Sequence, residues 1–471
     1  MHTLLLLAVT ALPAPHGIRV VDDGTGRPVP LVELRTVHEQ LFVTDNAGWV
    51  AVGSPELLGR RVYFHVRSHG YEHAKDGFGY RGTALDLRPG GRSELKIRRL
   101  NLAERLCRLT GAGQWAESEL LGEPVPVRED AGVFGQDSVE TEVYRGRLFW
   151  FWGDTNRASY PLGNFQTTGA TSDLPADPEA GVALRYFRDG QGFVKAMAPV
   201  PGDGPTWIGG LVALRDAAGE ESLWCTWAKV RGMLTVYRRG LARWSDAAER
   251  FEPVATWAEG APVYPHGHPV VHGDHVYFAQ PWPLLRVATR DGLARLDAYE
   301  GYTCLRPDGS VGEWSWRRGA APMDQKTEAA LLKAGKLKPE DARLQMRDLD
   351  GGKPVQAHGG SVYHNPWRGR WVAIFAESGG ASSHLGEIWY AEAPDLTGPW
   401  QRARKVLTHD KYSFYNPKQH PYFARDGGRV IYFEGTYTAM FSRQGDATPR
   451  YDYNQMLYRL DLAEASRRMG G

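Results

Sequence analysis

The chain has 471 residues, of which 24% are charged, and its formal net charge is +1. A chain this close to neutral lacks the basic surface that nucleic acids or anionic membranes require, so neither partner is predicted. Its length exceeds what one hydrophobic core usually supports, so we expect two domains. The 16 Trp, 21 Tyr and 55 Gly, with few long helical patterns, favour an all-β protein with many turns.

The chain begins with a Leu-rich run from Leu4. This run is too short to span a bilayer but suits the apolar core of a secretory signal, although no Lys or Arg precedes it. We expect residues 1–16 to be a signal peptide and the mature protein to be secreted or periplasmic. The alternatives are a buried strand or an incorrectly chosen start codon. Cys107, Cys225 and Cys304 are far apart, which favours buried free thiols over a disulfide framework.

Residues 17–100 alternate strand-like runs with Asp-Gly, Gly-Arg-Pro and Asn-Ala-Gly turns, a pattern that predicts a small antiparallel β-sandwich. The Thr-Gly-Arg-Pro-Val phrase at 25–29 and the Thr-Asp-Asn-Ala-Gly phrase at 44–48 resemble strand edges of the transthyretin-like regulatory domain found beside carboxypeptidases. This resemblance implies the same fold and a non-catalytic accessory role.

Residues 101–471 repeat one hairpin phrase four times: a polar residue, an apolar strand, a turn, an aromatic strand and a second polar residue. Repetition at this length predicts a five-bladed β-propeller, with sheets arranged radially around a channel. The blades are expected at about 130–172, 205–256, 262–308, 356–405 and 412–463. A stretch rich in Ala, Leu and Lys predicts a helical insertion at about 322–350.

Because a hairpin returns the chain to its starting edge, the two polar residues of each phrase should become neighbours at one mouth of the channel. The expected pairs are Asp137 with Asp154, His268 with Gln280, His358 with Glu377, and His420 with Glu434. Glu387 is expected to join them, since it starts the third strand of the fourth blade. Two carboxylates held across a cleft can divide the work of glycosidic cleavage, one activating water and the other donating a proton.

The aromatic residues and histidines add to this picture. Trp282 and Tyr437 lie beyond predicted strand ends and are candidate platforms for stacking on sugar rings. Histidines open three of the blades, an arrangement compatible with an ion in the channel, but no dense chelating spacing supports one. No metal site and no cofactor are therefore predicted.

Several phrases resemble the five-bladed propeller glycoside hydrolases, a superfamily that includes arabinanases and xylosidases. They are the blade-opening Asp137, Trp-Phe-Trp-Gly-Asp-Thr at 150–155, Leu-Gly-Glu-Ile-Trp-Tyr at 385–390 and Gly-Pro-Trp at 398–400. The resemblance implies that Asp137 is the base and Glu387 the acid, with a third carboxylate tuning the acid. The candidate catalytic residues are Asp137, Glu387, Asp154 and Glu434. The candidate substrate-binding residues are His268, His358, His420, Glu377, Trp282, Lys418 and Tyr437.

The leading hypothesis is thus a secreted glycoside hydrolase acting on a polysaccharide or oligosaccharide. The enzymatic alternative is a polysaccharide lyase, which would use rim His and Tyr residues with Lys418 to remove a proton beside a uronate. The non-enzymatic alternative is a carbohydrate-binding propeller, whose mouth carboxylates would be paired with cations, for example Asp154 with Arg157. Plain structural roles are also open: Asp154 as a turn-capping residue and Glu387 as a strand-edge charge.

Overall fold

The computed structural model describes residues 13–164, 166–175, 177–232, 234–380, 383–409, 411–441, 447–467 and 469. Strands dominate these residues, which confirms the prediction of a nearly all-β protein. The chain divides into two compact units. Unit 1 comprises Met1–Leu100 and Gly113–Pro126, and unit 2 comprises Asn101–Ala112 and Val127–Gly471. Most of the expected signal segment, residues 1–12, lies outside the described residues. Among the described residues, every helix is too short or too polar to cross a membrane.

From residue 13 onward, unit 1 contains eight strands and one short helix. They are β1 (His16–Asp22), β2 (Glu33–Thr36), β3 (Leu41–Val43), β4 (Trp49–Val52), β5 (Arg61–Arg67), β6 (Tyr71–Glu72), β7 (Gly82–Asp86), β8 (Arg92–Arg99) and α1 (Ala116–Leu120). Two four-stranded sheets result, in the orders β4-β1-β8-β6 and β3-β2-β5-β7. One core cluster draws apolar side chains from both sheets, including Ile18 and Val20 from β1 and Phe64 from β5.

One strand pair of unit 1 departs from the predicted antiparallel arrangement. Strands β1 and β8 run parallel, with Ile18 opposite Ser93. Parallel neighbours need a long crossover, and here the whole of β2 to β7 supplies it. The local turn signals of the sequence identify hairpins, so they give no sign of a pair that only the complete unit brings together.

The described residues of unit 2 form twenty-five strands, β9 to β33, and two α-helices. The strands of its first half are β9 (Glu104–Arg108), β10 (Gly135–Gln136), β11 (Glu140–Tyr144), β12 (Arg147–Trp152), β13 (Thr155–Arg157), β14 (Tyr160–Asn164), β15 (Thr168–Ser172), β16 (Arg185–Tyr186), β17 (Thr206–Arg215), β18 (Glu221–Arg231), β19 (Thr235–Ser245) and β20 (Arg250–Thr256).

The elements of its second half are β21 (His268–His272), β22 (His275–Ala279), β23 (Leu285–Ala288), β24 (Glu300–Leu305), β25 (Val311–Arg318), α2 (Gln325–Lys333), β26 (Arg347–Asp348), β27 (Ala357–Asn365), β28 (Arg370–Glu377), β29 (Ile388–Ala393), β30 (Arg402–Leu407), β31 (Ser413–Gln419), β32 (Val430–Thr438), β33 (Asn454–Asp461) and α3 (Leu462–Ala465). Helix α2 lies in the expected insertion, where Asp324 caps it by accepting a hydrogen bond from the Thr327 N–H (2.8 Å). After Gly335 the expected insertion contains a 3₁₀ turn, Pro339–Asp341, and the short strand β26.

Five sheets of four or five strands form the body of unit 2. Their orders are β11-β12-β15-β16, β17-β18-β19-β20, β21-β22-β23-β24-β25, β26-β30-β29-β28-β27 and β31-β32-β33-β9. In each of these sheets the strand that begins the hairpin is at one edge, and these edge strands contact one another in the order β11, β17, β21, β27 and β31. A hydrogen bond from Asn416 Nδ2 to Ser138 Oγ (2.7 Å) joins β31 back to the residues that precede β11. We call these five edge strands the central ring.

The fifth sheet is completed from the start of the unit. Strand β9 pairs antiparallel with β33, and Leu457 lies opposite Cys107. The sequence pattern does not identify β9, because this strand is short and its partner lies about 350 residues away. Cys107, Cys225 and Cys304 are buried and free, as predicted.

The hairpin predicted for the fifth sheet was assigned wrongly. Its first strand, β31, ends at Gln419, and His420 leads into a 3₁₀ turn at Pro421–Phe423, so His420 does not open the strand. Glu434 therefore lies in the middle of β32, opposite Lys418, and not at a strand end.

The reason is a proline inside β31. Pro417 lacks an N–H group, and proline in an apolar run argues against a strand. The strand accommodates it through a register shift between Tyr415 and Lys418, with Asn416 in the left-handed region at φ 50°. A bulge of this kind is not visible in a sequence pattern.

Candidate active site

Two aspartates, Asp137 and Asp154, lie side by side at the beginning of the first sheet of unit 2. Asp137 lies between β10 and β11, and Asp154 lies between β12 and β13. The Asp137 N–H donates to the carbonyl oxygen of Asp154 (3.1 Å), and the Gly153 N–H donates to the carbonyl oxygen of Asp137 (2.8 Å). These reciprocal bonds hold the two residues at the same level of the hairpin.

The glycine between Trp152 and Asp154 makes room for the first carboxylate. A Cβ atom built at Gly153 would overlap the Oδ1 atom of Asp137. The Gly-Asp-Thr phrase is therefore not only a turn signal: it allows the Asp137 side chain to lie against the backbone of the neighbouring strand.

Burial and mutual repulsion set the ionisation of this pair. Burial, and secondarily the charge of Asp154, raise the pKa of Asp137 to about 7, against the opposing hydrogen bonds from Tyr415 and Ser138. Burial also raises the pKa of Asp154, although Trp207 opposes the rise. Two carboxyl groups that share a site resist ionising together, so one proton stays on the pair at a pH where isolated aspartates have lost theirs.

No cation neutralises the pair within the described residues. The guanidinium of Arg157, the partner expected for a purely structural Asp154, lies instead over the ring of Phe193, 5.6 Å from its centroid. Both aspartates are half-buried, and the Oδ1 atom of Asp154 is buried with no hydrogen-bond partner among the described residues. A buried carboxylate oxygen without a partner is a position where a bound hydroxyl or water would be stabilised.

Three aromatic side chains border the pair. The Tyr415 hydroxyl donates to Asp137 Oδ2 (2.8 Å), and Trp207 faces Asp154, whose pKa it lowers against the effect of burial. Burial, then the charge of Asp137, raises the pKa of the Tyr453 phenol, so this group also faces the carboxylates. None of the three was a sequence candidate, because each comes from another sheet and only the closed ring brings it to the first one.

Glu387 is placed differently. It immediately precedes β29, its side chain is buried, and it forms an ion pair with Lys405 Nζ (2.7 Å) while the Thr408 hydroxyl donates to its Oε1 (2.7 Å). Lys405 and Thr408 thus each contact one oxygen of the Glu387 carboxyl group. The structure does not bring Glu387 into contact with Asp137 or Asp154.

Glu377 and His358 lie at the corresponding end of the fourth sheet. Glu377 accepts a hydrogen bond from the Trp389 indole (2.9 Å), and burial raises its pKa although Trp389 and Lys405 oppose the shift. Glu377 is half-buried, whereas His358 is exposed. Gln280, expected beside His268, is exposed at the end of β22.

Glu434 and His420 do contact each other, but in the interior. His420 Nε2 lies 3.0 Å from Glu434 Oε1, and both side chains are inaccessible to solvent. Burial raises the pKa of Glu434 to about 8, while Lys418 opposes the rise. The His420 ring packs on Trp150, 5.5 Å between centroids, so the pair belongs to the packing between the fifth and first sheets.

The central ring encloses a second polar group. Lys418 Nζ donates to the Tyr363 hydroxyl (2.8 Å), and His268 Nδ1 lies 3.3 Å from Glu140 Oε2. Burial pulls the pKa of Lys418 down, but Tyr363, Glu140 and Glu142 together raise it. Sequence reasoning identified Lys418 and His268 but missed Glu140, Glu142 and Tyr363, although the alternating Glu-Thr-Glu of β11 places both glutamates on one face.

The two predicted sugar platforms are core residues. Trp282 is 8% exposed and packs on Trp400 and Phe375, with centroids at 5.0 and 5.5 Å. Tyr437 is 2% exposed and stacks on Tyr412 at 5.5 Å. Neither ring presents a free face, so the prediction of stacking platforms at these positions is corrected. No cluster of three or more potential metal ligands occurs in the part of the chain that the structure describes.

Neither a protein family nor a curated protein sequence matches this chain. Similar solved structures include an exo-β-1,3-galactanase from Phanerochaete chrysosporium, with 10% identity over 70% of this chain and 61% of that one, TM-score 0.38. Others are a GH43_1 enzyme from Xanthomonas citri complexed with xylose (12% identity, 70% and 88% covered, TM-score 0.36) and a protein of unknown function from Dyadobacter fermentans DSM 18053 (8%, 76% and 99%, 0.35). The chain thus spans less than two thirds of the fungal galactanase, and similarity at this level assigns no activity to it.

Proposed function

We propose that this protein is a glycoside hydrolase whose reaction centre is the Asp137–Asp154 pair. The observation that carries the proposal is the geometry of that pair: two adjacent carboxyl groups, half-buried, without a cation among the described residues. Such a pair retains one proton near neutral pH, which is what hydrolysis of a glycosidic bond requires of its acid and base.

In this proposal the proton resides on Asp137, whose pKa is raised to about 7. Asp137 donates it to the departing glycosidic oxygen as the bond to the anomeric carbon breaks. Asp154, whose ionised form Trp207 favours, takes a proton from the water that attacks the anomeric carbon. This reverses the role that the family resemblance implied for Asp137 and leaves Glu387 outside the reaction, paired with Lys405.

The architecture that supports this proposal is a five-bladed β-propeller. The five sheets would be its blades, the central ring its channel, and β9 the strand that closes the last blade on the start of the unit. The two sheets of unit 1 would form an accessory transthyretin-like β-sandwich. We also propose that the protein is exported. Mass spectrometry of the N-terminus of protein from the producing cells' medium tests this, and an intact Met1 retained inside the cells would contradict it.

The test of function is a screen of purified protein against neutral and acidic polysaccharides, including β-1,3-galactan, xylan and polygalacturonate, with detection of new reducing ends and ultraviolet absorbance. Wild type is expected to release reducing sugar, and Asp137→Asn and Asp154→Asn are expected to release none. Asp173→Asn is the matched control, because Asp173 is an exposed aspartate that pairs with Arg185 at the outer edge of the same sheet. Equal loss in that control, or no release by wild type, would contradict the proposal.

The lyase alternative predicts a different signal in the same screen. A lyase creates a conjugated double bond that absorbs in the ultraviolet, and a hydrolase does not. Of the residues proposed for it, His420, Tyr437 and Lys418 are each at most 3% exposed, so they are poorly placed to reach a polymer. Growth of absorbance without dependence on Asp137 would favour the lyase.

A further inference from the structure

Two consecutive residues before β11 hydrogen-bond to two consecutive residues of β31. Tyr415 Oη donates to Asp137 Oδ2 (2.8 Å), and the next residue, Asn416, donates from Nδ2 to Ser138 Oγ (2.7 Å). The two bonds join residues 278 positions apart in the chain, across the junction of the fifth and first sheets. We call Asp137, Ser138, Tyr415 and Asn416 the junction clamp.

Both second members of the junction clamp have unusual backbone conformations. Ser138 and Asn416 each have φ 50°, in the left-handed region that residues with a Cβ atom rarely adopt. Such conformations persist only where the surroundings determine them, and they concentrate at functional sites. The strand that carries Tyr415 is bent here by the Pro417 bulge, which aims its hydroxyl at the first sheet.

Further contacts hold the clamp from both sides. The Ser138 N–H donates to Thr436 Oγ1 (2.9 Å), and Gln455 Nε2 donates to the same oxygen (2.8 Å). A Cβ atom at Gly359, on the fourth sheet, would lie 3.3 Å from Asn416 Oδ1. Thr436 thus holds the backbone of Ser138, and the Asn416 amide lies between Ser138 and the fourth sheet.

We propose that Tyr415 and Asn416 are positioning residues that fix the rotamer of Asp137 through the junction clamp. The role in catalysis rests on the proposed function, whereas the control of Asp137 does not. The Tyr415 hydroxyl donates the hydrogen bond to Asp137. The bond from Asn416 to Ser138 holds the two strained backbone positions that follow Tyr415 and Asp137.

The groups that face Asp137 determine the sign of the expected effects. They are the carboxylate of Asp154, the phenols of Tyr415 and Tyr453, and the hydroxyl of Ser138. Burial and Asp154 raise the pKa of Asp137, and the Tyr415 and Ser138 hydrogen bonds lower it. Loss of the Tyr415 donor should therefore raise this pKa further.

The first test is Tyr415→Phe, which removes one oxygen and keeps the ring. The basic limb of the activity profile, where the proposed acid loses its proton, should move upward by about one pH unit, the effect of one hydrogen bond to a charged group. Tyr412→Phe is the control, since it removes a buried phenol of the same region that donates to the Ala447 carbonyl. An unmoved limb in Tyr415→Phe would overturn the inference while leaving the hydrolase proposal intact.

The second test needs no activity. The unfolding equilibrium constant of wild type and variants is measured between pH 5 and 9, where a folded state that holds the Asp137 proton loses stability as pH rises. From pH 5 to pH 9, the unfolding equilibrium constant of Tyr415→Phe should rise about tenfold more than that of wild type. When Asp137→Asn is already present, adding Tyr415→Phe should cause no extra rise. If it persists in the Asp137→Asn background, another group is responsible and the inference fails.

The contribution of Asn416 is tested with Ser138→Gly, Asn416→Gly and the double variant. Glycine relieves the left-handed strain at each position, so all three variants should fold and can be compared with wild type. Each single variant should shift the basic limb upward, and Ser138→Gly should shift it further, because it also removes the Ser138 hydrogen bond to Asp137. The double variant should shift the limb no further than Ser138→Gly, because the bond from Asn416 to Ser138 is already lost there. Additive shifts, or none, would show that the two residues act independently of one another and of Asp137.

Discussion

Asp137 and Glu434 are both carboxyl groups whose pKa is raised, to about 7 and about 8, yet their surroundings differ in every other respect. Asp137 lies at the start of the first sheet, half-buried, beside a second aspartate and a phenol donor. Glu434 lies in the middle of β32, closed off from solvent, against a histidine. Burial alone produces the second case, so a raised pKa identifies a reaction centre only where solvent access and a second titrating group accompany it.

Glu387 completes this comparison as a third type of buried carboxylate. Its ion pair with Lys405 and the hydroxyl of Thr408 stabilise its charge. The sequence resemblance selected it through the Leu-Gly-Glu-Ile-Trp-Tyr phrase at 385–390. The ion pair shows why a matched motif position is not sufficient: the partner cation comes from β30, which the motif does not include.

The largest effect is expected from a substitution of Asp154, the second aspartate of the pair. Asp154→Asn removes the ionised member of the pair and should lower kcat by about 10²–10⁴-fold, the usual contribution of a positioned acid or base. It should also lower the pKa of Asp137, because the repulsion from Asp154 is lost. The pH profile of the residual activity reports that shift: its basic limb should move downward, and an upward movement would contradict the assigned coupling.

A variant of Glu434 sharpens the buried half of the comparison. The folded-state pKa of Glu434 is raised from an ordinary 4.5 to about 8, so between these values the folded state holds a proton that the unfolded state has lost. Stability is thus full below the ordinary pKa and falls as pH rises toward 8. Between pH 5 and 7 wild type should lose about 3 kcal/mol more than Glu434→Gln.

Denaturant titrations at both pH values measure this difference. The glutamine variant keeps the shape of the protonated acid, so it should fold, and its hydrolytic rate should stay within about threefold of wild type. Equal pH dependence in the two proteins would mean that Glu434 is ionised in the folded state.

Gly153→Ala tests the geometry of the pair without changing a charge. The new Cβ atom would overlap Asp137 Oδ1, so the carboxylate must move. A displacement on the order of 1 Å at a reacting group lowers the rate by about 10²-fold. Gly146→Ala provides a strain control in the same hairpin, since Gly146 has positive φ and open space around it. A Gly153→Ala variant with full activity would show that the Asp137 position is not restricted.

The smallest effect is expected at Trp282, where the sequence predicted a sugar platform. Trp282→Phe should lower the free energy of unfolding by about 1–2 kcal/mol through lost packing on Trp400 and leave KM unchanged. Thermal denaturation and initial rates on the same preparation separate the two effects. A raised KM at unchanged stability would restore the platform interpretation.

The sequence was informative where structure is local. Hairpin logic placed Asp137 beside Asp154 because only about seventeen residues separate them and the turn lies between, and the alternation of aromatic and polar residues indicated sheets throughout. Asp324 at the start of an Ala- and Leu-rich run marked helix α2 in the same way.

Long-range contacts were beyond its reach. Tyr415 contacts Asp137 only because the central ring closes. Strand β9 pairs with β33 only when both ends of unit 2 have folded. Pro417 concealed β31, so His420 and Glu434 were assigned to a strand end when they lie inside. Trp282 follows a strand end but turns inward onto Trp400, because an indole gains more from burial than from exposure when a cavity is available.

The most direct measurement is kcat/KM for Asp137→Asn and Glu434→Gln side by side, on whichever glycan wild type cleaves. Both substitutions replace a carboxyl group of raised pKa by its neutral amide. The account predicts a loss of at least about 10²-fold for Asp137→Asn and near wild-type activity for Glu434→Gln. Comparable losses in the two variants, or a loss confined to Glu434→Gln, would contradict the assignment of the reaction centre to the Asp137–Asp154 pair.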